Sequence, residues 1–221
     1  MKVILFGSTG MIGQGVLLEC LESPEVESVL AVNRRAVSQS HPKLRELVHK
    51  DFSDFTSLIP VFAAYDTCFF CLGISSLGLS ENEYSKITFE LTTRVGETLL
   101  KANKDISFCY ISGAGTDSSE KGKAMWARVK GKTENALLAM PFKKTYMFRP
   151  GYIQPLKGIK SRTAWYNMIY FIFKPFYFIL KPFKGMVTNT ESMGKAMIQA
   201  ALHDYDKKII ESADINILGK S

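Results

Sequence analysis

Residues 2–13 read KVILFGSTGMIG, a continuous apolar run followed by three glycines at a spacing of three residues. An apolar run that does not alternate with polar residues is typical of a strand buried on both faces of a parallel sheet. Apolar residues at helical spacing, Val16, Leu17 and Leu21, follow the glycines. The order of strand, glycine-rich turn and helix therefore predicts the first unit of an α/β fold.

The rest of the chain continues this alternation. Helices are predicted over residues 55–62, 84–102 and 125–140, and further strands over 26–32, 44–48, 67–72, 106–111 and 145–148. Because strands and helices alternate, we expect an α/β fold with a doubly wound parallel sheet of the Rossmann type. We expect one structural domain, with a core over residues 1–151 and a small C-terminal substrate-side cap with closing elements over residues 152–221.

The composition is that of a globular protein, since 46% of the 221 residues are hydrophobic and 22% are charged. The four cysteines are too few and too scattered for a disulfide scaffold, and the three histidines lack metal-ligand spacing. Cys68 and Cys71 lie within a predicted strand, where residues three apart face opposite sides. We therefore expect no metal site. No signal peptide is recognisable at the N-terminus, so we expect a reducing, cytoplasmic setting.

The net charge of +7 is concentrated in one region of the sequence. No acidic residue lies between Glu134 and Glu191, whereas nine lysines and arginines do. Such a region predicts an anionic partner: a phosphorylated substrate, a cofactor phosphate or an acidic lipid surface. The alternative is a solvated basic face without a partner. No nucleic-acid-binding signature is present, so we expect no nucleic acid partner.

The glycine-rich turn is the first candidate site. Gly7 allows a tight turn, Gly10 lets the backbone approach a pyrophosphate, and Gly13 lets the helix pack close to the strand. The pyrophosphate of a dinucleotide then rests on the helix N-terminus, where free N–H groups favour an anion. The alternative is a turn that binds nothing. The candidate cofactor residues here are Gly7, Ser8, Thr9, Gly10, Met11, Ile12 and Gly13.

The end of the second strand predicts which dinucleotide binds. A site for NAD usually places an acid here to hold the ribose hydroxyls, but this chain has Asn33 followed by Arg34 and Arg35. Arginine binds phosphate in a bidentate manner, so we expect NADP in preference to NAD. The alternative is two exposed loop arginines. Further candidates are Asp51 and Phe52 at the adenine edge, and Cys71, Leu72 and Gly73 beside the nicotinamide ribose.

Motifs in a fixed order carry a resemblance to a known group. They are GxxGxxG, NRR at 33–35, DF at 51–52, CLG at 71–73, YISGAG at 110–115, RVKGKTE at 128–134 and FRPG at 148–151. This series resembles the atypical short-chain dehydrogenase/reductase superfamily, with the Tat-interacting-protein oxidoreductase group and its bacterial relatives as the best match within it. The resemblance runs from residue 2 to residue 151 and resumes weakly over 191–197.

The resemblance implies roles for individual residues. Ser112 matches the serine that orients a carbonyl, and Lys130 matches the lysine that holds the nicotinamide ribose and lowers the pKa of the family's catalytic tyrosine. It also implies cofactor contacts at Pro150, Gly151, Tyr152 and Ile153. The function that it implies is an NADP(H)-binding oxidoreductase acting on an apolar or anionic carbonyl or quinone-like small molecule.

One position departs from the family pattern. Trp126 stands four residues before Lys130, where the family has its tyrosine. An indole N–H donates a hydrogen bond but does not transfer a proton. Three alternatives stay open: another hydroxyl (Ser112 or Tyr152) acts, the substrate needs no protein acid, or the protein is a non-catalytic NADP(H)-binding regulator or assembly factor.

Residues 164–183 include nine aromatic side chains, with prolines and lysines between them. The segment is too interrupted to span a bilayer. It is interpreted first as the cap over the nicotinamide end of the site. A second interpretation places residues 157–184 against an anionic membrane surface, and a third makes the segment a dimer interface. The sequence leaves the oligomeric state open.

Overall fold

The computed structural model describes residues 1–36, 39–159 and 185–220. The strands are β1 (Lys2–Phe6), β2 (Ser28–Asn33), β3 (Leu44–Val48), β4 (Thr67–Phe70), β5 (Ser107–Ile111), β6 (Thr145–Arg149), β7 (Tyr152–Gln154), β8 (Val187–Asn189) and β9 (Ile209–Glu211). Seven of them are parallel and form the main sheet in the order β3-β2-β1-β4-β5-β6-β9, and β7 pairs with β8 in a separate two-stranded sheet. The prediction of a doubly wound parallel sheet is therefore confirmed.

The helices cover both faces of this sheet. They are α1 (Met11–Glu22), α2 (Ile59–Phe62), α3 (Glu81–Ser85), α4 (Leu91–Ala102), α5 (Met125–Ala139), α6 (Thr190–Leu202) and α7 (Ser212–Leu218). A π-helical turn over Lys86–Glu90 joins α3 to α4, and a 3-10 turn over Thr56–Leu58 precedes α2. The predicted helix over 55–62 is thus shorter than expected, because Pro60 starts a new first turn.

Strand β1 lies at the centre of the sheet and is buried on both sides. Val3 and Leu5 belong to the core under α1 and α6, while Ile4 and Phe6 belong to the core under α2 and α4. All four side chains are completely buried. This burial accounts for the continuous apolar run in the sequence.

Two close approaches fix α6 against α1. A Cβ added to Gly15 would lie 2.6 Å from the Cβ of Thr190, and one added to Gly194 would lie 2.6 Å from Cγ of Glu19. Strand β9, which the sequence did not predict, extends the main sheet beside β6. The division of the chain at residue 151 stays a prediction, because residues 160–184 lie outside the described ranges.

A buried ion pair joins α5 to β6. Glu134 is completely buried, and the Arg149 guanidinium binds both of its carboxylate oxygens through Nε and Nη2. Hydrogen bonding to Glu134 raises the pKa of Arg149 above its ordinary value. The Ser112 hydroxyl donates to the same carboxylate at 2.5 Å. The pair therefore ties together the carboxyl ends of β5 and β6.

We expect Glu134→Ala to lower the free energy of unfolding by about 3–5 kcal/mol, because it leaves a mostly buried guanidinium without its partner. Urea denaturation measures this loss. The matched control is Glu191→Ala, which removes a partly exposed pair with Lys195 one helical turn away. That change should cost only about 0.5 kcal/mol. Equal losses in the two variants would show that the buried pair contributes no more to the free energy of unfolding than the exposed pair, and would contradict this prediction.

Candidate dinucleotide and proton-transfer site

The three glycines of the turn between β1 and α1 serve three separate contacts. Gly7 has a φ of +81°, and a Cβ there would lie 2.8 Å from the Cys71 carbonyl carbon. A Cβ on Gly13 would collide with the Gly7 carbonyl oxygen. Gly10 is the N-cap of α1, and no side chain of the described residues caps this helix end. The turn thus presents backbone N–H groups in a cradle that side chains would fill, which fits a pyrophosphate.

Ser8 and Asn33 fasten this turn to the end of β2. Asn33 Nδ2 donates to Ser8 Oγ at 2.8 Å, and the Ser8 hydroxyl lies 3.0 Å from Asn33 Oδ1. Both side chains are buried. Asn33 is therefore engaged within the protein, and the groups that face outward at this strand end belong to the two residues that follow it.

Arg34 and Arg35 are exposed at the carboxyl end of β2. Arg34 Cζ lies 5.9 Å from the centre of the Phe52 ring, a distance at which a cation interacts with an aromatic face. Asp51 accepts hydrogen bonds from Ser53 Oγ and N, and these bonds lower the pKa of its carboxyl group. The structure thus brings Arg34 near Phe52, one of the two residues predicted at the adenine edge.

The segment after β4 packs directly against the glycine turn. Cys71 N donates to the Phe6 carbonyl oxygen at 3.0 Å, and burial raises the pKa of the Cys71 thiol well above its ordinary value. Leu72 and Gly73 follow at the same edge of the sheet. These three residues therefore follow β4 at the edge of the sheet where the glycine turn lies, and their predicted position beside the nicotinamide ribose stays a prediction.

Lys130 reaches from α5 to the carboxyl end of β5. Its Nζ donates to the Ser112 carbonyl oxygen. Desolvation lowers the pKa of this amine from 10.5 to about 8, and the nearby Glu134 charge only partly opposes that effect. A Cβ on Gly113 would lie 3.8 Å from Nζ and 3.9 Å from the Pro150 carbonyl oxygen, both at ordinary van der Waals distance. The amine therefore lies next to a position that carries no side chain.

The two hydroxyls predicted as substitutes for tyrosine are engaged elsewhere. The Ser112 hydroxyl is 2% exposed, donates to Glu134, and lies 3.1 Å from the Phe148 carbonyl oxygen. The Tyr152 hydroxyl donates to Gln154 Oε1 at 3.0 Å. Trp126, one turn before Lys130, is half-buried, with its indole against Gly115. The role of Ser112 in orienting a carbonyl stays a prediction, and its hydroxyl already has a structural partner.

The residues after β6 form the connection to β7. Pro150 accepts a hydrogen bond from Ala114 N at 2.8 Å, and Gly151 N donates to Ser212 Oγ at 2.8 Å. A side chain on Gly151 would collide with the Met186 carbonyl oxygen. Tyr152 and Ile153 belong to β7. These residues hold the end of β6 next to Gly113, and their cofactor contacts stay a prediction.

Lys157 is the first residue of the basic segment that the second interpretation places against an anionic membrane surface. Its Nζ lies 2.8 Å from Glu19 Oε1 and 2.6 Å from Glu22 Oε2, both on α1. Its charge is thus balanced within the protein. The aromatic segment and the other basic residues of this region, Lys160, Arg162, Lys174, Lys181 and Lys184, lie outside the described residues.

Sequence reasoning missed Glu134, Arg149 and Gly113 as parts of this site. Glu134 and Arg149 stood in the quoted motifs RVKGKTE and FRPG, but their pairing depends on how α5 packs beside β6. Within residues 1–36, 39–159 and 185–220, no three histidine, cysteine or carboxylate side chains gather as a metal site. No helix in the same ranges has the length and apolar character needed to cross a membrane.

Comparison with known proteins defines the class. The model of the NAD dependent epimerase/dehydratase family matches residues 3–124, more than half of the chain. The protein therefore belongs to the NAD dependent epimerase/dehydratase family. This result confirms the resemblance to the short-chain dehydrogenase/reductase superfamily, whereas the narrower match to the Tat-interacting-protein group stays a prediction.

Individual relatives extend over most of the chain. The protein FMP52, mitochondrial, of Eremothecium gossypii is 25% identical over 225 residues, which cover 100% of this chain and 98% of that protein. The mitochondrial fmp52 protein of Emericella nidulans is 29% identical over 91% of this chain and 87% of its own. The prediction of a cytoplasmic setting is wrong, because both relatives carry names that place them in mitochondria.

A solved structure shows the same fold. The UDP-glucuronic acid 4-epimerase of Bacillus cereus, in complex with NAD, superposes with a TM-score of 0.68 at 12% identity. The superposition covers 95% of this chain and 77% of that enzyme. The solved structure thus shows the same fold, and the glycine turn described above fits the pyrophosphate of a dinucleotide.

The depressed pKa of Lys130 predicts a pH dependence of stability. Between about pH 8 and pH 10.5 the unfolded chain retains the Lys130 proton and the folded chain releases it, so stability rises with pH in that window. Below pH 8 the amine is charged in both the folded and the unfolded chain, so the full cost of burying that charge is present. We expect the free energy of unfolding of the parent to rise across the window by up to about 3 kcal/mol relative to that of Lys130→Met. Chemical denaturation between pH 7 and 10.5 measures this difference, and a constant difference would contradict the burial of the amine.

Proposed function

We propose that the protein is an NADP(H)-dependent oxidoreductase that acts on a carbonyl or quinone-like compound. The observation that carries the cofactor preference is the end of β2, where Arg34 and Arg35 are exposed and no acid follows Asn33. A 2′-phosphate is a dianion that an acid at this position would repel and that two guanidinium groups attract. The neighbouring Phe52 ring offers an apolar surface for the adenine.

The remaining residues suit the other parts of the cofactor. The N–H groups at the start of α1 suit the pyrophosphate, and Cys71–Gly73 follow at the same edge of the sheet. Lys130 then lies beyond them, on the β5 side, where the nicotinamide ribose is expected. When bound, the reduced nicotinamide supplies a hydride. The chain's own contribution is to hold the dinucleotide across the carboxyl edge of the sheet.

The second candidate function is a non-catalytic NADP(H)-binding protein. The observations that favour it are Trp126 at the position of the family's tyrosine and the Ser112 hydroxyl that donates to Glu134. Both candidates require the same dinucleotide site, so cofactor binding tests what they share. Turnover separates them: oxidation of NADPH with a panel of carbonyl compounds and quinones supports the oxidoreductase. Tight NADPH binding without oxidation by any compound supports the non-catalytic protein.

We expect the purified protein to bind NADPH more tightly than NADH, because only NADPH carries the phosphate. Arg34→Ala or Arg35→Ala should weaken NADPH binding by about 10- to 100-fold, which corresponds to loss of a charged hydrogen bond worth about 1.5–3 kcal/mol. Binding of NADH should change little. Isothermal titration calorimetry of the parent and both variants with NADPH and with NADH measures these six affinities.

Arg45→Ala provides the matched control, since Arg45 is an exposed arginine on the neighbouring strand β3. It should leave NADPH binding unchanged. An equal affinity for NADPH and NADH in the parent would overturn the NADP preference. No binding of any dinucleotide would overturn both candidate functions and leave the glycine turn as a structural feature.

A further inference from the structure

We propose that Lys130 is itself the proton donor of the site, in place of the tyrosine that Trp126 replaces. The inference rests on the proposed oxidoreductase function and adds the group that completes its chemistry. Three observations carry it: where the amine lies, which other groups are already engaged, and the glycine beside the amine.

The amine lies at the carboxyl edge of the sheet, between the loops that follow β5 and β6. It donates to the Ser112 carbonyl oxygen, and this is its one hydrogen bond to the described residues. An ammonium group carries three protons, so two remain for a cofactor ribose and a substrate. The amine can thus hold the ribose and still face a reacting oxygen.

The other candidate donors are engaged. Ser112 gives its hydroxyl proton to Glu134, and the Tyr152 hydroxyl donates to Gln154. Tyr110 on β5 and Tyr84 on α3 are almost completely buried in the protein. The indole of Trp126 has no proton-transfer chemistry. Among the described residues near Gly113, the Lys130 ammonium is the acid that remains.

Residue 113 is a glycine, so no side chain stands next to the amine. The position of a Cβ there is 3.8 Å from Nζ, at ordinary van der Waals distance, and 3.9 Å from the Pro150 carbonyl oxygen. In the proposed site the carbonyl oxygen of the substrate takes this position, within reach of Nζ. A larger residue at 113 would occupy it, and the φ of +130° at this position also favours glycine.

The charges around Lys130 allow it to release a proton near neutral pH. Glu134, on the same helix, is the carboxylate that acts on the amine, but its oxygens bind the Arg149 guanidinium of β6 and the hydroxyl of Ser112, which follows β5. Glu134 therefore does not hold the proton on Lys130 as a free carboxylate would. Desolvation is the larger influence and lowers the pKa of the amine to about 8, close to a working pH.

The proton and electron balance of the step is complete. The carbonyl carbon of the substrate accepts a hydride from the reduced nicotinamide and forms a C–H bond. The carbonyl oxygen accepts a proton from Lys130 Nζ and forms an O–H bond. The substrate gains two electrons and becomes an alcohol, the nicotinamide is oxidised by two electrons, and Lys130 is left as a neutral amine that recovers its proton from water.

The first test needs no substrate. Competitive labelling of the lysine amines with isotopically coded acetic anhydride, from pH 6 to 11, measures the titration of each amine by mass spectrometry. We expect the labelling of Lys130 to reach half of its maximum near pH 8. A midpoint at the ordinary lysine value of about 10.4 would overturn the proposal.

The second test uses turnover of NADPH with the carbonyl and quinone panel. Lys130→Arg keeps a positive charge and hydrogen-bond donors, but an arginine gives up no proton in this range. We expect it to bind NADPH and to lose at least about 100-fold in kcat at pH 7. The parent rate should fall as pH rises through about 8, and the variant should lack this fall. Lys132→Arg, an exposed residue of the same helix, should retain both the rate and its pH profile.

The outcomes separate the role of Lys130 from the proposed function. A parent that binds no dinucleotide overturns the proposed function itself. A parent that turns over NADPH while Lys130→Arg retains both rate and pH profile overturns only the role of Lys130. A parent that binds NADPH and reduces no compound overturns the role of Lys130 and favours the non-catalytic protein. Where Lys130→Arg fails to fold, Lys130→Met removes the proton donor together with the charge, so its NADPH affinity is measured beside kcat. A loss of kcat and of its fall near pH 8 at saturating NADPH supports the role of Lys130, and a retained rate and pH profile overturn it.

Discussion

The burial of β1 on both of its faces is the constraint on which the rest of the structure depends. Val3, Ile4, Leu5 and Phe6 are all completely excluded from solvent, so helices must cover both sides of the sheet. A chain that builds a parallel sheet must cross over after each strand, and every strand then ends at the same edge. The glycine turn, the two arginines after β2 and the segment after β4 meet at this edge for that reason, and so do Gly113 and Pro150.

Local patterns in the sequence were sufficient to predict the glycine turn and the parallel sheet. The glycine spacing predicted the turn because each glycine answers a backbone requirement within a few residues or at the adjacent strand end. The alternation of elements predicted the sheet. Strand β9 escaped prediction because Ile209–Glu211 is only three residues long and is specified by its pairing with β6. The predicted helix over 55–62 was divided by Pro60, whose effect on the first turn outweighs the apolar spacing.

The end of the site around Lys130 shows where residue patterns in the sequence stop being informative. The motifs placed Ser112 and Lys130 in the order that the family has, but a motif does not specify which group a hydroxyl binds. The Ser112 hydroxyl binds Glu134, because this carboxylate is completely buried and must accept hydrogen bonds from the protein. Ser112 and Arg149 supply those bonds. The same arrangement leaves Lys130 poorly solvated and without a free carboxylate, a cost in stability that proteins often carry at functional sites. The structural ion pair thus follows from the buried carboxylate, whereas the lowered pKa of Lys130 follows from the burial of the amine itself.

The distribution of charge in the sequence also differs from the distribution of charge in the fold. In sequence, residues 135–190 carry nine positive charges and no negative ones. In the fold, Arg149 pairs with Glu134, Lys157 with Glu19 and Glu22, and Lys144 with Asp204. The acids come from α1, α5 and the segment after α6, so a regional excess in the sequence does not become a surface field at these positions. Arg34 and Arg35 differ, since no carboxylate of the described residues pairs with either. An anion that meets the carboxyl end of β2 therefore finds two arginines that no described acid neutralises, and this is the position at which we propose that the phosphate of NADP binds.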